Sequence, residues 1–154
     1  MRTRSCRDRQ AKPRAQFSAK SLREIGPGVF GATSRHDSLN SAVVAAGESV
    51  PEVLLIDPGW ELDELDALAR SLAERGLLPV AGLATHAYYD HLLWHPRFGD
   101  VPRWASAATT SLAIERRAEL LLDRGPNYPA EVMKSFGLQR AIAGSTLPWS
   151  GREL

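Results

Sequence analysis

Residues 85–96, THAYYDHLLWHP, gather three of the chain's four histidines and Asp90 into one short stretch. Imidazole and carboxylate are metal ligands and acid–base groups, so this is where the sequence could do chemistry. In an extended segment, residues two apart point the same way, and positions 86 and 88 can therefore address one point in space. Histidine at both would give two imidazoles to one zinc, while Asp90 and His91 would serve a second. Position 88 is instead Tyr88. A phenol with a pKa of about 10 must lose a proton that imidazole need not, so Tyr88 is a poor zinc ligand at neutral pH. Cys6 is the only cysteine, which excludes an internal disulfide and any cysteine-based zinc cluster. By residue chemistry alone, satisfied histidines at a strand end with an ordinary sheet tyrosine between them are the plainer account of the segment.

The elements that must position this segment are legible upstream. Val29–Thr33, Ala42–Ala46 and Val53–Ile56 are short apolar runs separated by Gly, Pro, Asn and Ser, the pattern of adjacent antiparallel strands. The third ends in Asp57-Pro58-Gly59, a stop, because Pro58 lacks a ladder donor and Gly59 permits a positive φ. WELDELDALARSLAERG puts Leu62, Leu65, Ala69 and Leu72 on one stripe, with Glu61, Asp63 and Glu64 early and Gly76 as a terminator. This predicts a helix whose early acids suit its N-terminus electrostatically, without implying a cation site. LLPVAGLATH follows as a strand that delivers His86 at its carboxyl end. Strand, helix, strand makes the sheet mixed. PRWAS is a candidate short strand. Ala107–Arg124 predicts a helix with Ile114, Ala118, Leu121 and Leu122 on one face, stopped by Gly125 and Pro126, and a shorter helix spans about Ala130–Phe136. AIAGSTLPWSGREL begins like a further strand and turn.

THAYYDH, preceded by the strand and turn VLLIDPG, resembles the metallo-β-lactamase-fold hydrolases, whose signature is His-x-His-x-Asp-His; the similarity runs from about residue 24 onward. The resemblance implies an α/β (α+β) architecture: the amino-terminal half of an αββα sandwich, a mixed sheet with outer helices. It assigns His86 to one zinc, and Asp90 and His91 to the second, with Tyr88 in place of an expected His and Asp57 supporting the metal loop by orienting its ligands. Asp90 is the residue so implicated in catalysis. The activity implied is attack of a zinc-activated water, with one or two zinc ions, on an ester, thioester, amide or phosphoester. The family draws further His, Asp and His ligands from downstream segments, and no histidine follows His95 here. The expectation is therefore an impaired hydrolase, or alternatively a non-catalytic half-domain that pairs with a copy of itself or with a complementary chain.

The bulk composition fits one soluble globular domain at most: 154 residues, 44% hydrophobic, 24% charged, formal charge +1. Residues 1–20 carry five Arg and two Lys against Asp8, a net +6, which leaves −5 for the remainder. They are expected to be a disordered basic leader, with residues 21–154 a partial domain lacking its second half. The leader has neither aromatic interleaving nor an amphipathic repeat, so neither nucleic acid nor membrane is expected as a partner; a small-molecule substrate is. Without a signal-peptide core or a run of about 20 apolar residues, a cytoplasmic location is the default expectation.

Other motifs carry less. Gly26–Gly31, GPGVFG, matches the spacing Gly-x-Gly-x-x-Gly, but a strand-like run occupies it where a dinucleotide site needs a strand end opening into a helix. His95 is expected to be structural or to line a pocket wall, WHPRFGD to form pocket wall or to pack through Trp94 and Phe98, and His36 to lie in an exposed turn. No Gly-x-Ser-x-Gly elbow is present.

Overall fold

The computed structural model describes residues 22–35, 38–59, 61–124 and 127–151. The proposed leader, His36, and Gly125 with Pro126 lie outside the described residues. A seven-stranded sheet runs in sequence order: β1 (Arg23–Gly26), β2 (Val29–Thr33), β3 (Asn40–Ala45), β4 (Glu52–Ile56), β5 (Leu78–Ala84), β6 (Arg103–Ala105) and β7 (Arg140–Ala141). The first four are antiparallel, and β4 through β7 are parallel. The parallel half needs crossovers, supplied by α1 (Leu62–Glu74), by α2 (Tyr89–Leu92) with the 3-10 turn Pro96–Phe98, and by α3 (Ala107–Arg124) with α4 (Ala130–Lys134). The Gly-x-Gly-x-x-Gly spacing falls on the β1–β2 hairpin, which has no helix to receive a pyrophosphate.

Strands added one after another in one direction by right-handed crossovers place every helix on the same sheet face. The core follows from that rule. Val43, Val53 and Leu55 meet Leu65, Leu68 and Leu72 of α1 on the helical face. On the opposite face Val44, Leu54 and Ala81 are buried, with Val29, Ile56 and Leu83 partly so, and among the described residues Leu147 and Trp149 pack over them.

The helix boundaries of α1 and α3 agree with their periodicity, but the buried face of α3 does not. Ile114 (65%) and Leu122 (81%) are exposed, as is Ala118, whereas Thr109 and Ala113 are buried and Leu120 and Leu121 partly so. The buried stripe is rotated toward Ala113, and beside it Arg117 Nε donates to the Phe136 carbonyl at 2.9 Å. β1, unread in the sequence, is exposed on nearly every residue and carries no apolar alternation to announce it.

Gly82 on β5 is required by packing. A Cβ there would lie 2.7 Å from Trp94 Cζ3 and 2.9 Å from Arg103 Cγ. Trp94 is buried and its Nε1 donates to the Gly99 carbonyl at 2.8 Å, so its ring has little room to retreat. Gly82→Ala is therefore expected to destabilise the fold by about 1–3 kcal/mol, readable by urea denaturation.

Candidate functional site

Adjacent parallel strands β4 and β5 end side by side, so the residues that follow each strand are brought together. Asp57 follows β4 in the left-handed region, with φ of 47°, a conformation Asp tolerates better than most residues. Its backbone is pinned: the Asp57 N–H donates to the Leu83 carbonyl at 3.0 Å, and the Ser41 hydroxyl donates to the Asp57 carbonyl. The buried carboxylate then faces the segment beyond β5. Oδ1 accepts from the Thr85 N–H at 2.9 Å, and Oδ2 from the Thr85 hydroxyl at 2.6 Å. His91 Nδ1, reached through α2, lies 2.9 Å from the same Oδ1.

The remaining contacts complete a polar chain. His91 Nε2 sits 3.4 Å from Asp90 Oδ2. The Thr85 hydroxyl, which donates to Asp57, also lies 3.1 Å from His86 Nδ1 and 3.3 Å from His91 Nδ1. The His86 and His91 rings are 3.6 Å apart between centroids, and Tyr88 meets His86 edge-on at 4.8 Å. Tyr88 is 62% exposed, so it lies beside His86, as a two-residue spacing requires, without closing over it. The structure thus brings together Asp57, His86, Asp90 and His91.

Charge in this cluster is set by neighbours. Burial opposes ionisation of the His91 imidazole, but hydrogen bonds to Asp57 and Asp90 outweigh it and raise its pKa from 6.5 to about 9. Burial likewise opposes ionisation of Asp90, yet its hydrogen bond to His91 holds it below the usual 3.8. A histidine raised on folding stabilises fully below its unfolded pKa and loses that contribution as pH climbs through the folded value. The lowered Asp90 contributes above its ordinary range and loses it in acid. The melting temperature is therefore expected to be highest between about pH 5 and 6.5 and to fall toward about pH 9, with His91→Gln flattening the alkaline limb in melts across pH.

The donor set does not fit a zinc ion. The Asp57–His91 contact is the kind of support a metal-bound histidine takes, but the set of donors around it is too small. Among the described residues, no three His, Cys, Asp or Glu side chains converge as a metal-holding group, whereas catalytic zinc takes three protein ligands.

His95 is structural: its Nδ1 accepts from the Arg97 N–H at 3.3 Å and its ring meets Phe98 at 5.8 Å, capping the 3-10 turn. Burial lowers its pKa. Trp94 and Phe98 are buried and meet edge-on at 5.2 Å, which makes WHPRFGD a packing segment. Glu64, read in the sequence only as one of the early acids of α1, is a buried tie between elements. It is 1% exposed and accepts from the Ser34 hydroxyl at 2.6 Å and the Arg35 N–H at 2.9 Å, tying the β2–β3 loop to α1. Its place on the inner stripe beside Leu65 and Leu68 was the available signal.

Solved structures sharing this arrangement include metallo-β-lactamase IND-7, with a TM-score of 0.55, 16% identity, and 88% of this chain and 58% of that one covered. A beta-lactamase domain protein from Burkholderia ambifaria gives 0.55 and 18%, covering 82% and 43%, and DIM-1 metallo-beta-lactamase 0.51 and 18%, covering 64% and 47%. The chain has the metallo-β-lactamase fold. It matches a partial domain of that fold, spanning about half the length of those solved chains. No protein-family model matches. Among curated proteins, a subunit of the light-independent protochlorophyllide reductase of Chloroflexus aggregans is 26% identical over 154 residues, covering 94% of this chain and 26% of that protein. The same-named protein of Chloroflexus aurantiacus is also 26% identical, with the same coverage. The chain thus spans about a quarter of these relatives. No helix among the described residues is long and apolar enough to cross a membrane.

Proposed function

We propose that this chain is the histidine-loop half of a metallo-β-lactamase-fold hydrolase, silent by itself, to which a complementary sheet half docks on the face opposite the helices. The observation that carries this reading is that face. Val29, Ile56 and Leu83 remain partly exposed around Val44, Leu54 and Ala81, under Leu147 and Trp149, themselves partly exposed. An apolar sheet face is stable when another layer covers it. Activity on an ester, thioester, amide or phosphoester belongs to the paired whole, because the described donors do not by themselves make a metal site.

Light scattering coupled to size-exclusion chromatography tests this. A chain without its complement is expected to self-associate through the open face, and Val29→Lys is expected to reduce that association while preserving a cooperative melt. A monomer that melts cooperatively and binds no apolar dye would refute the docking face.

A second reading, hydrolysis by this chain alone, is favoured by the 3.6 Å approach of His86 to His91 beside Asp90. It requires near-stoichiometric zinc and measurable ester or thioester cleavage by the isolated chain.

A further inference from the structure

We propose that the histidine loop, residues 85–92, is a metal-independent latch anchored on Asp57, in which His91 serves as a cross-link between strand end and helix. Three donors converge on one carboxylate: the Thr85 N–H at 2.9 Å, the Thr85 hydroxyl at 2.6 Å and His91 Nδ1 at 2.9 Å. They belong to the segment after β5 and to α2, while Asp57 belongs to the end of β4, so one buried group joins three parts of the chain.

The apolar side of the loop is fixed independently. Tyr89 is buried with its ring 4.7 Å from that of Phe136 and 5.4 Å from that of Tyr128, and Leu92 is fully buried. Packing below and hydrogen bonds above therefore determine the loop's path without an ion.

None of these contacts uses an ion, and among the described residues no third His, Cys, Asp or Glu joins His91 Nε2 and Asp90, 3.4 Å apart, in a metal-holding group. In this chain a residue pattern that resembles a metal-binding motif has a structural occupation. This inference stands whether or not a second half docks; the light-scattering experiment reports docking, and the loop's own protection reports the latch.

The test is amide hydrogen exchange at residues 85–92, with thermal melting, on the full chain in excess EDTA and with equimolar zinc. Exchange rates and melting temperature are expected to be the same in both, the latter within about 2 °C. Thr85→Val, at an exposed position, removes the hydroxyl donor while leaving the N–H. It is expected to speed exchange in the loop by about tenfold, the scale of one hydrogen bond to a charged group, and Thr85→Ser is expected to restore it. Loop opening in EDTA, a zinc-dependent rise in melting temperature beyond about 2 °C, or unchanged exchange in Thr85→Val would each overturn the proposal.

Discussion

Asp57→Ala is expected to lower stability by about 3–5 kcal/mol, the cost of removing one partner from a buried ion pair. The side chains of Asp57 and His91 are 7% and 8% exposed, so water can offer the stranded imidazolium little compensation. Two further donors, the N–H and hydroxyl of Thr85, lose their acceptor in the same step. The left-handed backbone at this position adds to the effect, since alanine tolerates it less well than aspartate. Chemical denaturation gives the size directly. Because the loss arises in the site network, it should shrink when His91→Gln is already present, and a double-mutant cycle isolates that coupling. Equal and additive losses would mean that the Asp57–His91 contact contributes nothing of its own.

Phe136→Ala is expected to cost a comparable amount, about 3–5 kcal/mol, as for other fully buried aromatics. Phe136 is fully buried in the main core, supports Tyr89 of α2 from below, and lies at the end of the α4 segment where its carbonyl holds Arg117. The substitution removes both a core volume and an aromatic contact under the histidine loop. A melting temperature lowered by roughly 10–20 °C, together with faster exchange in residues 89–92, is the expected signature. A small change in stability would mean that the α4 segment is not part of the cooperative core.

Much of this arrangement was legible because it is written in local periodicity. β2, β3, β4 and β5 are short apolar runs, and α1 has an apolar stripe of the right spacing with Gly76 to end it, at φ of 67°. Asp57 could be singled out through the resemblance that VLLIDPG carries, while its place between a strand and a Pro-Gly turn marked only a stop. Its three donors could not, because Thr85 and His91 meet it only through the parallel pairing of β4 with β5. The inward face of α3 departs from its apolar pattern in the same way: Ile114 and Leu122 are apolar but exposed, and Ala113 is the residue that joins the main core. Glu64 shows the converse, a charged residue whose burial depends on Ser34 and Arg35, about thirty positions away. The histidine cluster itself was found by residue type, but its occupation by carboxylates is a matter of rotamer and neighbour that spacing does not encode.

The most direct test is a calorimetric zinc titration of the chain, with bound metal counted by elemental analysis after gel filtration. The arrangement of Asp57, Thr85, His91 and Asp90 predicts no near-stoichiometric, tightly held zinc. One zinc per chain retained through filtration, and lost on His86→Ala or His91→Ala, would contradict a latch closed by hydrogen bonds and would return the site to metal chemistry.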